Sequence, residues 1–387
     1  MTIPEGSNRD KTSTPDRSGW QFLPSSRHTL ADNARRILLV ESYGAGSHLR
    51  IARLLQQHSR HRIDIVRLAR DHWRTLAFTG HRIILDALKH VSPGAYDLVL
   101  FSGPADVRLT LAGLPAGWGV MPWIAYIHES QWTYPAGSLD RIPHLINHLE
   151  TVEACDAVWF NSHFHRDTFG SAALDHPSRT VERLASKVIP DHWRKTAVVY
   201  PPVHVAERPV QRSPHLTVAW TARWEREKRP DLMLQTIKEC LDLGLPIKLH
   251  ILGCPPEPWN DDPAMTSDLR AIVDPHSGYL QREEYEAVLA AADVWLSTAE
   301  HEYFGVAAIE AAMLGATPVV PSGLAYPETL PSALMYPPGQ PAAAARRIQA
   351  VARADRPFRG AWRTDADRFG KRTSIVRFDR AVDNATK

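Results

Sequence analysis

Cysteine is scarce: Cys155, Cys240 and Cys254 are the only three in 387 residues. An odd number without CxxC spacing argues against both a disulfide framework and a structural zinc site, and leaves buried, reduced thiols as the expectation. Long apolar runs are missing too. No stretch approaches the ~18 uninterrupted apolar residues of a membrane span, and the opening segment lacks the apolar core of a secretory signal, so the chain is expected in the cytoplasm, without a membrane span. Nor is there an excess of one charge: 45 Lys and Arg against 43 Asp and Glu leave +2. That is too little to mark a nucleic-acid binder by overall charge, so any such role must rest on a local patch.

What is present is apolar content of 44%, enough for a large core, in a length that exceeds one core and points to two domains. Residues 1–34 mix Ser, Thr, Pro, Gly and charges and are expected to form a disordered tail. From Arg36 the chain alternates short apolar β-type runs with amphipathic stretches: Arg36–Val40, a helix over Leu49–Gln57, Ile63–Leu68, Asp97–Phe101, Trp123–Ile127 and Ala157–Phe160. Near-continuous apolar strands separated by helices imply a parallel, doubly wound sheet. The proline-rich junction from Tyr200 through Pro214 breaks the pattern, which divides the chain into domains at 35–205 and 206–387. Strands recur at Leu216–Trp220, Lys248–Gly253, Val294–Thr298 and Pro318–Pro321, with a helix over Pro341–Ala354. The fold class is therefore α/β, two Rossmann-like halves facing a cleft.

The most informative segment is Ser297–Glu310, where a strand runs into an acidic loop and a helix is expected from Tyr303 or Phe304. Ligands of open α/β sheets bind at such strand ends. The backbone amides of Phe304, Gly305 and Val306 would be unpaired donors at a helix start, suited to phosphate, and Gly305 would allow close approach. Glu302 precedes the helix and Glu310 lies about two turns into it, so both carboxylates could reach one elongated ligand. An isolated acid pair at this spacing is usually a solvated cap; the strand before it and the Gly315 and Pro318 after it make this one far more specific.

With that following Gly and Pro-led strand, the segment resembles the retaining GT-B glycosyltransferases of family 4. Trp220–Pro230 sits where that family has an Arg and a Lys after the first strand of the second domain. The resemblance implies that Arg223 and Lys228 grip the donor diphosphate. Fixed cations there would offset the charge growing on the departing phosphate, a task that otherwise falls to a metal. The competing reading is a surface ion-pair cluster with Glu225 and Glu227.

The first domain narrows the resemblance. Glu41–His48 is a glycine loop after a strand, and His128-Glu129-Ser130-Gln131-Trp132 follows another. With Phe160-Asn161-Ser162 and Ile189-Pro190-Asp191-His192, they are similar to the tRNA-queuosine mannosyltransferase family over about Arg36 to Glu328. Other readings fit poorly. The Gly44-Ala45-Gly46 loop fails the dinucleotide fingerprint, with Arg67 standing where an acid would bind ribose, and Trp132 replaces the second histidine of a zinc-hydrolase motif. His163 and His165 are read as surface residues. Between Arg60 and Arg82 lie six arginines, three histidines and Trp73 against Asp64 and Asp71. Such a patch could hold RNA, with Arg67, Arg70 and Arg74 on phosphates and Trp73 stacking on an unpaired base, or it could be a solvated basic face. The related enzymes carry a similar stretch.

The resemblance implies a retaining transfer of mannose from GDP-mannose to queuosine in tRNA, with no cofactor or metal and no obligate protein partner. In that picture His128 orients the sugar, Glu302 binds donor-sugar hydroxyls, Glu310 binds the ribose, and Gly44 and Gly46 admit substrate close to the backbone. Two alternatives stay open: a family 4 transferase with a small-molecule or glycan acceptor, and a non-catalytic nucleotide-sugar or RNA-binding protein.

Overall fold

The computed structural model describes residues 18–26, 32–69, 71–132, 142–208, 215–354 and 362–386. These divide into two compact units.

The first unit holds the described residues up to Asn161, His165–Pro202 and those from Ser374 on. Its elements run β1 (Trp20–Leu23), β2 (Arg36–Glu41), α1 (Gly46–His58), β3 (Arg62–Leu68), α2 (Trp73–Leu88), β4 (Leu98–Ser102), α3 (Val107–Gly113), β5 (Trp123–Ile127), α4 (Ile142–Ala154), β6 (Ala157–Phe160), α5 (His163–Leu174), α6 (Arg179–His192) and β7 (Thr196–Val198). The sheet order is β1-β3-β2-β4-β5-β6-β7, parallel except for β1 against β3. Leu38 and Val40 pack on one face with Val99 and Phe101, while Ile37 and Leu39 pack on the other with Leu98 and Leu100. Burial on both faces is why these strands read as unbroken apolar runs. Because β3 lies on one side of β2 and β4 on the other, the winding reverses between β2 and β4, where open α/β sheets take ligands.

The second unit centres on β8 (Leu216–Thr221). It continues through α7 (Pro230–Asp242), β9 (Ile247–Leu252), α8 (Pro256–Asn260), α9 (Ser267–Ile272), α10 (Arg282–Ala291), β10 (Val294–Leu296), α11 (Val306–Leu314), β11 (Thr317–Pro321), α12 (Tyr326–Thr329), β12 (Met335–Tyr336), α13 (Pro341–Arg353) and α14 (Arg363–Asp367). Its parallel sheet has the order β12-β11-β10-β8-β9. The reversal here falls between β8 and β10, so the loops after those two strands meet at the switch point.

Two features depart from the sequence expectation. Trp20–Leu23, inside the segment read as a disordered tail, forms β1 with Gln21 opposite Arg67; Leu23 is buried, and the indole of Trp20 donates to Asp86 at 3.3 Å. Residues 1–17 and 27–31 lie outside the described residues. The last helix, α15 (Lys371–Ala385), does not stay with the second domain as its position in the chain suggests. Its Ile375, Phe378 and Val382 fill the first unit's core beside Ile37, Leu39 and Ile63, and Asp379 accepts from the Ser59 hydroxyl at 2.5 Å and the Arg60 amide at 3.1 Å. Composition and position along the chain cannot report either pairing, because both depend on distant partners. Among the described residues no helix is long and apolar enough to cross a membrane.

Candidate active site

At the β8–β10 switch point a cavity of about 340 Å³ is lined by Thr221, Arg223, Lys228, Gly253, Tyr285 and Glu302, among others. The loop after β8 is pinned from beneath: the Thr298 hydroxyl donates to the carbonyls of Lys228 and Arg229 at 2.9 and 3.0 Å, and the Glu300 amide donates to the Glu227 carbonyl at 2.8 Å. Arg229 adopts a left-handed backbone (φ 52°), unusual for a side-chain-bearing residue, and its guanidinium pairs with Asp231 and Glu300. That turn sends the Lys228 ammonium to the His301 carbonyl at 3.0 Å and to Glu302 at 3.5 Å. Arg223, half-exposed, pairs with Glu225 at 3.0 Å and Glu227 at 3.3 Å. Arg223 lines the cavity, and its guanidinium is also held by two carboxylates.

Glu302 sits differently from expectation. The helix begins at Val306 rather than Tyr303 or Phe304, because Gly305 turns left-handed at its N-cap (φ 84°). The Glu302 carboxylate folds back to accept from the Gly305 amide at 3.1 Å and the Phe304 amide at 3.5 Å. Two of the three amides assigned to phosphate are therefore taken by the loop's own acid. Burial would raise the Glu302 carboxyl, but Lys228, then His301 and the two amides, hold it below the usual range. Gly305's freedom serves the turn and the Tyr326 ring, which would lie 3.2 Å from an added Cβ; Phe304 is buried edge-to-face on Phe369. Neither Phe304, Gly305 nor Val306 lines the cavity.

Glu310 is also drawn away from the wall. Its buried carboxylate accepts from Arg282 at 3.1 and 3.2 Å and from the Tyr285 hydroxyl at 3.1 Å. Arg282 bridges onward to buried Glu286 at 2.6 Å. Tyr285 then stands between Glu310 and the cavity that it lines itself. The sequence signals only that a helix starts at Arg282, through the capping box of Gln281 and Glu284. Nothing local announces that this helix reaches Glu310.

In the first unit, His128 and the glycine loop form their own group beside the β2–β4 reversal. Gly44 (φ 62°) has no room for a side chain, since a Cβ would lie 1.9 Å from the Leu68 carbonyl oxygen; its glycine is required by the protein's own backbone. Gly46, which opens α1, faces open space. The His128 ring packs 4.1 Å from Tyr126 and 4.9 Å from His48, centroid to centroid. Burial, then the charge of His48, pushes His128 down to about 3, so the ring is neutral near pH 7.

Three of the six arginines in the basic stretch are engaged within the protein. Arg60 pairs with Asp383, Arg62 with Asp64 at 3.6 Å, and Arg67 donates to Gln21 at 2.8 Å across the β1–β3 pair. Arg67 is thus a sheet residue, and Arg70 lies outside the described residues. Among the described residues, what remains is the exposed Arg82 and the start of α2: Trp73, half-buried against His144 at 4.8 Å, with the exposed Arg74 guanidinium 5.3 Å above its ring. His163 is exposed as expected, but His165 is fully buried, 2.8 Å from the Asn161 amide oxygen and 3.1 Å from the Ser130 hydroxyl. It ties the Phe160–Ser162 and His128–Trp132 motifs together, and Thr133, Tyr134 and Pro135 after them lie outside the described residues.

Residues 36–203 match the family described as tRNA-queuosine alpha-mannosyltransferase N-terminal, and residues 215–354 match glycosyl transferases group 1. The tRNA-queuosine alpha-mannosyltransferase of Drosophila melanogaster is 27% identical over 320 residues, covering 76% of this chain and 81% of that protein. Among solved structures, sucrose-phosphate synthase from Thermosynechococcus elongatus aligns with a TM-score of 0.66 at 16% identity, over 90% of this chain and 98% of its own. A glycosyltransferase from Rickettsia africae gives 0.64 at 13% identity, over 92% and 99%. At such identities the structural likenesses speak for the fold alone, which is GT-B with two Rossmann-like units. The first unit thus matches one description and the second the other, and the chain is a glycosyltransferase similar to the tRNA-queuosine alpha-mannosyltransferases.

Proposed function

We propose that this protein transfers mannose from GDP-mannose to the cyclopentenediol of queuosine in tRNA, with retention of configuration and without a metal. The observation that carries the reading is the meeting of Arg223, Lys228 and Glu302 in one cavity at the switch point of a glycosyltransferase unit. Two cations there suit the diphosphate of a nucleotide sugar, and Glu302, kept ionised beside Lys228, suits sugar hydroxyls. In the reaction the bond from the sugar C1 to the phosphate oxygen breaks as the acceptor oxygen bonds on the same face. The departing phosphate takes the acceptor's proton, and Arg223 and Lys228 stabilise the charge left on it.

On the acceptor side, the Trp73 indole with Arg74 above it offers a stacking surface for an unpaired base and a cation for phosphate. Changing Trp73 and Arg74 together to alanine is expected to weaken tRNA binding about tenfold or more and to flatten its salt dependence. Equal binding by both proteins across a salt series would strike this surface from the scheme. The reaction itself is tested by incubating the protein with queuosine-containing tRNA and either GDP-mannose or UDP-glucose, then digesting the tRNA to nucleosides for mass spectrometry. Hexose should appear on queuosine from GDP-mannose; transfer only from UDP-glucose, or to no tRNA nucleoside, would overturn the proposal.

A further inference from the structure

The β2–β4 reversal holds a second imidazole that the scheme above does not use. His48 lies in the first turn of α1, with Nδ1 3.6 Å from the Glu41 carboxylate and its ring against Tyr43 and His128 at 5.3 and 4.9 Å. Glu41 ends β2 with its side chain buried, fixed by the Tyr43 amide at 2.9 Å and the Gly44 amide at 3.4 Å. A carboxylate anchored by backbone donors in a protein interior calls for a cation, and His48 is the basic group paired with it. At the same helix start, Gly46 has open space where a Cβ would stand.

We propose that His48, held by Glu41, is a substrate-binding imidazole beside His128, and that the two rings together grip a pair of neighbouring hydroxyl groups on a substrate. A charged ring can only donate, whereas a neutral one can donate or accept. Side by side, they match two adjacent hydroxyls, one accepting and one donating. The charge states agree: burial lowers His48, but Glu41, and Glu129 after it, bring it above its ordinary value, while His128 is held low. Burial would likewise raise Glu41, yet His48, with Ser102 and the Tyr43 amide, keeps it at about 2. Two adjacent groups whose titrations are pushed apart divide the donating and accepting roles between them. Glu41 is a positioning residue; it acts through His48.

Such a diol occurs on mannose and on the cyclopentene ring of queuosine. The naming of these two substrates rests on the proposed transfer reaction; the existence of the site does not. The test follows the imidazole C–H resonances of His48 and His128 in the wild-type protein as ligands are added. GDP-mannose against GDP reads the donor diol, and queuosine nucleoside against guanosine reads the acceptor diol. One member of these two pairs should move both resonances where its control does not. His48→Gln should then raise KM for that substrate about tenfold, with KM for the other within about twofold.

Around His48 stand Glu41, Glu129, His128 and Tyr43 as titratable neighbours. Without the Glu41 charge, His48 sheds its proton at lower pH, so in Glu41→Gln the rise of KM with pH should begin earlier than in wild type. Neither diol ligand moving the resonances, or both KM values unchanged in His48→Gln, would overturn the proposal. If His48→Gln does not fold, the wild-type titration decides. A wild type that titrates as expected but transfers no sugar would defeat the reaction scheme and leave the diol site standing.

Discussion

Lys228→Ala is expected to lower turnover by about 10²-fold or more, the scale of a lost charge at a transition-state anion. Lys228 is placed at a cost: Arg229 is held in a left-handed turn, and Thr298 binds the two carbonyls on either side of that turn. A fold that maintains such a conformation directs one ammonium into the cavity wall, within reach of Glu302. Arg223→Ala should produce a loss of the same order. Arg223 is half-exposed, Glu225 is exposed too, and Glu227, 13% exposed, keeps the charge of Lys228 nearby, so the variant should melt close to wild type. The two variants together isolate the chemical role from a structural one. Steady-state rates within a few-fold of wild type in both would remove these cations from the leaving-group site.

Arg282→Ala is the largest stability loss we expect, about 3–5 kcal/mol, the range for stripping the cation from a buried pair. Glu286 and Glu310 are each about one-twentieth exposed, and Arg282 is the cation that reaches both. At the usual proportion between free energy and melting temperature, the second unit should melt on the order of 10 °C lower. Adding Glu310→Gln to Arg282→Ala should restore part of that loss by removing the stranded Glu310 charge, since Glu286 keeps Arg208 at 3.2 Å. A drop under about 1 kcal/mol would show that the two carboxylates find water or new partners. Glu310→Gln alone also separates two roles: a raised donor KM with little change in melting would return Glu310 to the nucleotide.

The inner strands of both sheets were legible because a parallel strand buried on two faces leaves an uninterrupted apolar run, whereas the short edge strands β1, β7 and β12 leave none and went unread. Trp123–Ile127 and Ala157–Phe160 stand in the structure with the limits their sequence suggests. The cavity was legible in part for a related reason: Arg223, Lys228 and Glu302 lie just beyond strand ends, and topology alone carries such residues to one place. Contacts made across long separations stayed hidden. Arg282 lies 28 positions from Glu310, and Arg60 lies 323 from Asp383, so a window of composition sees a free acid and a free base where the fold has salt bridges. Arg60 and Arg67 of the basic stretch are taken up on this account. The helix at Val306 starts late because Gly305 uses a backbone conformation that spacing does not reveal.

The return of α15 to the first unit has a consequence for how the protein is made. Ile375, Phe378 and Val382 complete a hydrophobic layer whose other members, Ile37, Leu39 and Ile63, leave the ribosome more than 300 residues earlier. Domains generally fold in the order they are synthesised. Here the first to emerge must wait, with one face of its sheet incompletely covered, while the whole of the second unit is translated. The nascent first unit is therefore a natural client for chaperones, and a ribosome that stalls inside the second unit strands an apolar surface rather than a finished domain.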